Sequence, residues 1–205
     1  MYEELWHGEA FSRFLGEAGY ALGPDRQAVT ATDSYPSRRA RNAWIRRAAA
    51  RGGIVSHLAI MAASGLSRDF VAAHMTWGAV NELSTLTGYH RMIANTEHPV
   101  LRDLLERIVK DERRHFAFYR AQARLRLAES ARAQKVTRWV LEHLWSPVGT
   151  GVRPQAETDF VIAELFGGQD GRGAITEMDN VVHALPGLAG VGLFDRACSR
   201  VIAAA

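Results

Sequence analysis

Cysteine is almost missing from this chain: Cys198 is the single one in 205 residues. One thiol excludes an internal disulfide, and with no second cysteine beside it Cys198 reads as a small core residue rather than a reactive site. Long apolar runs are missing as well. The longest are about ten residues and are broken by Arg, His or Gly, too short to cross a bilayer. The N-terminal MYEELWHGEA has neither the basic start nor the apolar stretch of a signal peptide, so the expectation is a cytoplasmic protein. No alternating strand pattern persists for more than a few residues, and no internal repeat of fixed period occurs. The charge is only mildly basic, +3 with a pI near 9.3, and aromatics do not interleave with the basic runs as a nucleic-acid stacking surface requires. What is present, 47% hydrophobic and 23% charged residues, suits one soluble domain with a substantial core.

Ala, Leu, Arg and Glu dominate at an apolar period near 3.6, which predicts an all-α chain. A first helix is expected over 2–18, stopped by Gly19, then a polar loop over 23–36. Residues 37–51 carry Arg38, Arg39, Arg41, Arg46, Arg47 and Arg51 without an acid, and a helix follows near 54–64. Ser67 caps a long helix ending near Asn95, and His98-Pro99 restarts the chain into another reaching about Ser130. A helix over 132–145 is broken by Pro147, Gly149 and Gly151. Short helices near 155–166 and 174–184, separated by GGQDGRG, are expected to close the chain.

The stretch DERRHFAFYR at 111–120 departs from ordinary patterning. Leu101, Leu104, Leu105 and Ile108 form an apolar stripe whose continuation lands on Glu112, His115 and Tyr119. A carboxylate on an inward face is costly unless a charge, a hydrogen bond or a metal compensates it. Glu82 lies on the inward stripe of the preceding helix, with Val71, Met75, Gly78, Leu86 and Tyr89. Counted from position 97 at the turn, Glu82 and Glu112 are equally distant, 97 − 82 and 112 − 97 both being 15. Folded as an antiparallel hairpin, the helices therefore bring both carboxylates level, roughly 22 Å from the turn. In the first helix Glu4 and His7 share a face with Phe11, Phe14 and Leu15, so EELWH is the counterpart of DERRH.

An i,i+3 spacing puts a carboxylate and an imidazole on one side of a helical turn, and two such turns with bridging glutamates can enclose two metal ions in a bundle core. Carboxylate and histidine donors suit iron or manganese, whereas a structural zinc site usually brings thiolates. Asp111 and Glu3, just before each Glu-x-x-His, are either acceptors for the ring N–H of a liganding histidine from the opposite helix or solvated charges. The competing account of the inward residues is a glutamate paired with a core arginine and two hydrogen-bonded core histidines.

The pattern EELWHGEAFSRFL at 3–15, NELSTLTGYHRM at 81–92 and DERRHFAFYRAQ at 111–122 resembles the ferritin-like di-iron carboxylate proteins, most closely the soluble acyl-acyl carrier protein desaturases. The resemblance spans roughly residues 1–125 and is loose over 23–65. It implies a ferritin-like four-helix bundle with additional C-terminal helices. The whole of 1–205 is expected to form one domain, with bundle helices in 1–130, an arginine-rich insert at 37–51 and a C-terminal extension at 131–205. It further implies that Glu4, His7, Glu82, Glu112 and His115 ligate two iron ions, manganese being the alternative, and that Thr85 relays protons to bound oxygen or bonds the preceding turn. The implied activity is O2-dependent desaturation of an acyl chain held by acyl carrier protein, with a ferredoxin-type electron donor and a homodimeric assembly. Phe116, Phe118 and Tyr119 either line a substrate slot or pack the bundle. Arg38, Arg39, Arg46 and Arg47 offer a docking face to an acidic carrier protein.

The family has an earlier helix that donates another glutamate, whereas only three residues precede Glu4 here, so the first bundle helix is absent and the expectation is a frame beginning upstream. Other readings are a ferritin-like iron-binding oxidase, a di-iron oxygenase of another small molecule, and a degenerate bundle without metal.

Overall fold

The computed structural model describes residues 2–19, 68–150 and 154–202, with side chains from Trp6 and from Asp69 onward in the first two segments. The expected loop at 23–36, the Arg-rich stretch 37–51 with Arg38, Arg39, Arg46 and Arg47, the helix at 54–64 and the Ser67 cap lie outside the described residues. Among those described the chain is all-α: α1 (Tyr2–Glu17), α2 (Arg68–Asn95), α3 (Pro99–Glu129), α4 (Ala131–Leu144), α5 (Gln155–Phe166), α6 (Gly168–His183) and α7 (Leu193–Ile202).

The α2–α3 hairpin is the spine. His98 caps α3 by accepting from the Leu101 N–H at 3.4 Å, and Pro99 opens the helix, where its missing N–H costs nothing. Pairings across the hairpin are antiparallel: Asp69 with Ser130 at its base, Gly78 with Tyr119, Glu82 with His115, and His90 with Arg113 near the turn. Ser130 ends α3 and starts α4, its hydroxyl accepting from the Ala133 N–H at 3.1 Å. The extended backbone at that residue breaks what would otherwise be one helix.

Helix α2 is apolar on more than one side because it is covered on more than one side. Glu82 and Gly78 turn toward α3, while Ala72, Val80 and Leu83 enter a core with Leu127, Leu141, Trp145, Ile162, Met178, Leu188 and Phe194. That core runs from α2 to α7 without interruption. The Trp145 indole N–H donates to Asn81 Oδ1 at 3.0 Å, and Arg91 Nε donates to the Leu165 carbonyl at 2.8 Å, tying the C-terminal helices to α2.

Two boundaries differ from the sequence expectation. GGQDGRG does not separate helices at its full length but supplies the first turns of α6, which begins at Gly168 rather than 174. Gly171 explains why glycine serves there: a Cβ would sit 2.2 Å from the Phe166 carbonyl oxygen, so only a bare backbone lets α6 cross the end of α5. Helix α7 was not expected. Its N-terminus has no local cap; instead the buried Asp179, on α6, accepts from the Phe194 and Asp195 N–H groups at 3.1 and 2.9 Å. Cys198 packs on the same helix, buried, and burial followed by the charges of Asp179 and Asp195 raises its thiol to about 11.

Two substitutions test this packing. Alanine in place of glycine stabilises an open helix by about 1 kcal/mol, but a Cβ on Gly78 would lie 2.5 Å from Tyr119 Cδ1. Gly78→Ala is therefore expected to lower stability by about 1–3 kcal/mol in urea unfolding; a raised midpoint would mean that the ring yields freely. Asp179→Ala removes the only side chain seen capping α7 among the described residues and should lose about 1–2 kcal/mol, with earlier exchange of the Phe194 and Asp195 amides. Unchanged exchange would show that the cap is dispensable.

Candidate metal centre

Helix α3 buries Leu105, Ile108, Val109 and then Glu112, whose side chain is 1% exposed. A carboxylate reaches that depth because the residue falls on the apolar stripe of a helix held on that side by both α1 and α2. Desolvating an ion so fully costs several kcal/mol unless its surroundings compensate. The surroundings are basic: Glu112 Oε1 is 3.2 Å from His7 Nδ1, and Oε2 is 3.7 Å from His115 Nδ1. Glu112 thus stands between two imidazoles, one from α1 and one from its own helix. His115 Nδ1 is also 3.8 Å from Glu82 Oε2, across the hairpin.

One donor atom from each of Glu82, Glu112 and His115 lies within 4.8 Å of the others. Two carboxylates that share such a space repel unless a proton or a cation lies between them. The donor set is oxygen and imidazole nitrogen, and Cys198, the chain's one thiol, is packed in the core cluster of the C-terminal helices. These residues could hold a hard or borderline metal cation.

Asp111 sits behind His7. Its Oδ2 is 3.3 Å from His7 Nε2, and its Oδ1 accepts from Arg114 at 2.5 Å. A carboxylate at Nε2 holds the proton there and leaves Nδ1, the atom facing Glu112, as the one able to give a lone pair. Arg114 escaped the sequence reading, although its i,i+3 spacing from Asp111 was a usable signal. Further along the hairpin, burial and then the neighbouring Arg113 push the His90 pKa down, and Arg113 approaches its ring at 3.4 Å.

The remaining site residues divide. Glu3 and Glu4 belong to α1, but their side chains lie outside the described residues. Thr85 is half-buried one turn beyond Glu82. On the same helix Thr76 and Thr87 each donate to the carbonyl four residues back, at 2.8 Å, whereas Thr85 makes no such bond among the described residues. Of the aromatics read as slot or packing, Tyr119 packs on Gly78 and Phe116 against the core, whereas Phe118, 58% exposed, meets the Tyr119 ring edge-on at 5.6 Å between centroids. A cavity of about 790 Å³ does exist, between α4, α5 and α7, with Leu141, Trp145, Asp159, Leu193 and Arg196 on its walls; it shares no residue with the cluster.

No family model, curated protein or solved structure matches this chain, so the chemistry of the cluster itself carries the functional argument.

Proposed function

We propose that this chain is a ferritin-like di-iron carboxylate oxidoreductase that uses O2 to oxidise an organic substrate, and that its substrate is an acyl chain carried by an acyl carrier protein. The observation that carries the metal reading is the convergence of Glu82, Glu112 and His115 within 4.8 Å, with His7 brought in through the second oxygen of Glu112. The acyl substrate, the ferredoxin-type donor and the homodimer rest on the resemblance of the three motifs.

In this reading Glu82, Glu112 and His115 hold one side of the centre, and Glu4 and His7 the other, with iron as the metal and manganese as its substitute. When bound, the two ions supply the electrons that reduce O2 and the oxidising power to remove hydrogen from an unactivated carbon. The chain's own share is separate. Glu112 offers an oxygen to each imidazole from a water-free position, so the donors need no rearrangement before loading. Asp111 keeps the proton of His7 on Nε2, and Arg114 keeps Asp111 oriented. Thr85 Oγ1, with no helical carbonyl claiming its proton, serves as a proton carrier one turn from Glu82.

Anaerobic loading with Fe(II) followed by elemental analysis should give two iron ions per chain, and Glu112→Ala should lose both while Arg102→Ala loses none. The loaded protein should consume O2 when reductant and an acyl carrier protein substrate are supplied. Wild-type chain that takes up no iron would overturn the metal reading. Many iron ions per chain in a large assembly would favour storage instead. Asp111→Asn removes the acceptor charge behind His7 without opening a cavity, and should weaken iron binding by about 10–100-fold. Full affinity in that variant would leave Asp111 as a mere partner of Arg114.

A further inference from the structure

The outer face of α3 changes character along its length. From Arg102 to Lys110 the exposed residues carry both signs, and Asp103 pairs with Arg107 at 3.0 Å. From Arg113 to Ala128 there is no acid at all, against Arg113, Arg114, Arg120, Arg124 and Arg126. Within this stretch, about 24 Å long at 1.5 Å per residue, two large apolar side chains stand in solvent: Phe118 at 58% exposure and Leu125 at 57%. They are seven residues apart and so lie on one line, with the exposed Ala121 between them and exposed Ala117 and Ala128 beside them. Arg113, Arg120 and Arg124 form the adjoining line.

Among the described residues few of these cations meet an acid. Arg114 is engaged by Asp111. Arg113 faces the His90 ring, Arg120 lies 6.0 Å over the Phe116 ring, and Arg126 donates to Gln122, all uncharged or weakly charged partners. On α3 the stretch is bounded by the buried Glu112 at one end and by Glu129 at the other.

We infer that this face docks an acidic protein through an amphipathic helix whose apolar side chains seat on Phe118 and Leu125 across Ala121, while its carboxylates meet the arginines. The small residues between the two apolar side chains let a helix backbone approach closely, and planar guanidinium forks match carboxylates. Charge decides the occupant. A second copy would set arginine against arginine. The chain's own residues 20–67 contain Asp25 and Asp33 against Arg26, Arg38, Arg39, Arg41, Arg46, Arg47 and Arg51, so they too lack the complementary charge. An anionic membrane would want more than two inserted apolar side chains along such a length. Phe118 follows His115 by three residues, so the Phe118 and Leu125 line adjoins the His115 side of α3, while Arg113, Arg120 and Arg124 turn away from it and a docked partner lies beside the cluster rather than over it. The inference does not depend on the cluster holding metal.

The test is fluorescence anisotropy of a labelled amphipathic helical peptide of leucine and glutamate, titrated with the full chain at low and moderate salt. Binding should weaken with salt, and fall about tenfold or more in Arg120→Glu/Arg124→Glu. Phe118→Ala/Leu125→Ala should weaken it at every salt concentration, and Arg102→Glu should leave it unchanged. Because Arg120 stacks on Phe116, Arg124→Glu alone provides a variant that disturbs no packing, and thermal melts verify that each variant is folded. Binding indifferent to Arg124→Glu and to the Phe118 and Leu125 pair would overturn the inference. So would tighter binding of phosphatidylglycerol vesicles, or of duplex DNA, through the same arginines.

Discussion

The close antiparallel contact between α2 and α3 is the constraint on which the rest of this molecule depends. Gly78 permits it, because the ring of Tyr119 occupies the space a Cβ would need. Sliding the helices by one turn would move Glu82 about 5.4 Å away from His115. The register that brings those two side chains together is thus maintained by a packing contact one turn away, between residues with no part in the chemistry. Ser130 and Asp69 close the other end, where the hydroxyl reaches the carboxylate at 3.3 Å.

Around that spine the chain is organised by sidedness. Helix α2 gives one side to α3 and others to the C-terminal helices, and no polar stripe remains. Helix α3 gives one side to α2, with His7 of α1 reaching Glu112 there, and leaves the other to solvent. The same helix therefore carries the most buried acid of the cluster and an acid-free basic surface, and Arg114, which backs the cluster through Asp111, belongs to both. Neither α4 nor α5 to α7 touches the cluster with a donor atom among the described residues. Their role is to cover α2, and Trp145 and Arg91 bind the layers through polar contacts that packing alone would not orient.

The cluster shows how a buried charge is made tolerable. Glu112 is flanked by imidazoles on both oxygens, His7 is backed by Asp111, and Asp111 by Arg114. Each polar group along that line, from the core to the surface, thus faces a polar partner, which is how a buried ionisable group is compensated. A structural ion-pair chain would share this property. The convergence of Glu82 on the same point, a second acid where one already costs much, is what favours a cation there.

The helical class, the α2–α3 hairpin and its turn, and the inward positions of Glu82, Glu112, His115 and His7 were legible in the sequence because each follows from local periodicity and from counting residues to a turn. Elements that depend on a distant partner were not. Helix α7 carries a clear apolar period, but its cap is contributed by Asp179, 14 residues before its first residue (193 − 179), and nothing near Leu193 announces a start. GGQDGRG reads as a breaker until Phe166 is seen to require a residue without a side chain beside it. Phe118 reads as a packing or slot residue until the direction of α3's third face is known. Sequence alone determined which residues share a helix face, since that is set by the 3.6-residue turn. Only the tertiary structure decided which faces meet and at what distance, since that depends on which side chains leave room for a neighbouring backbone.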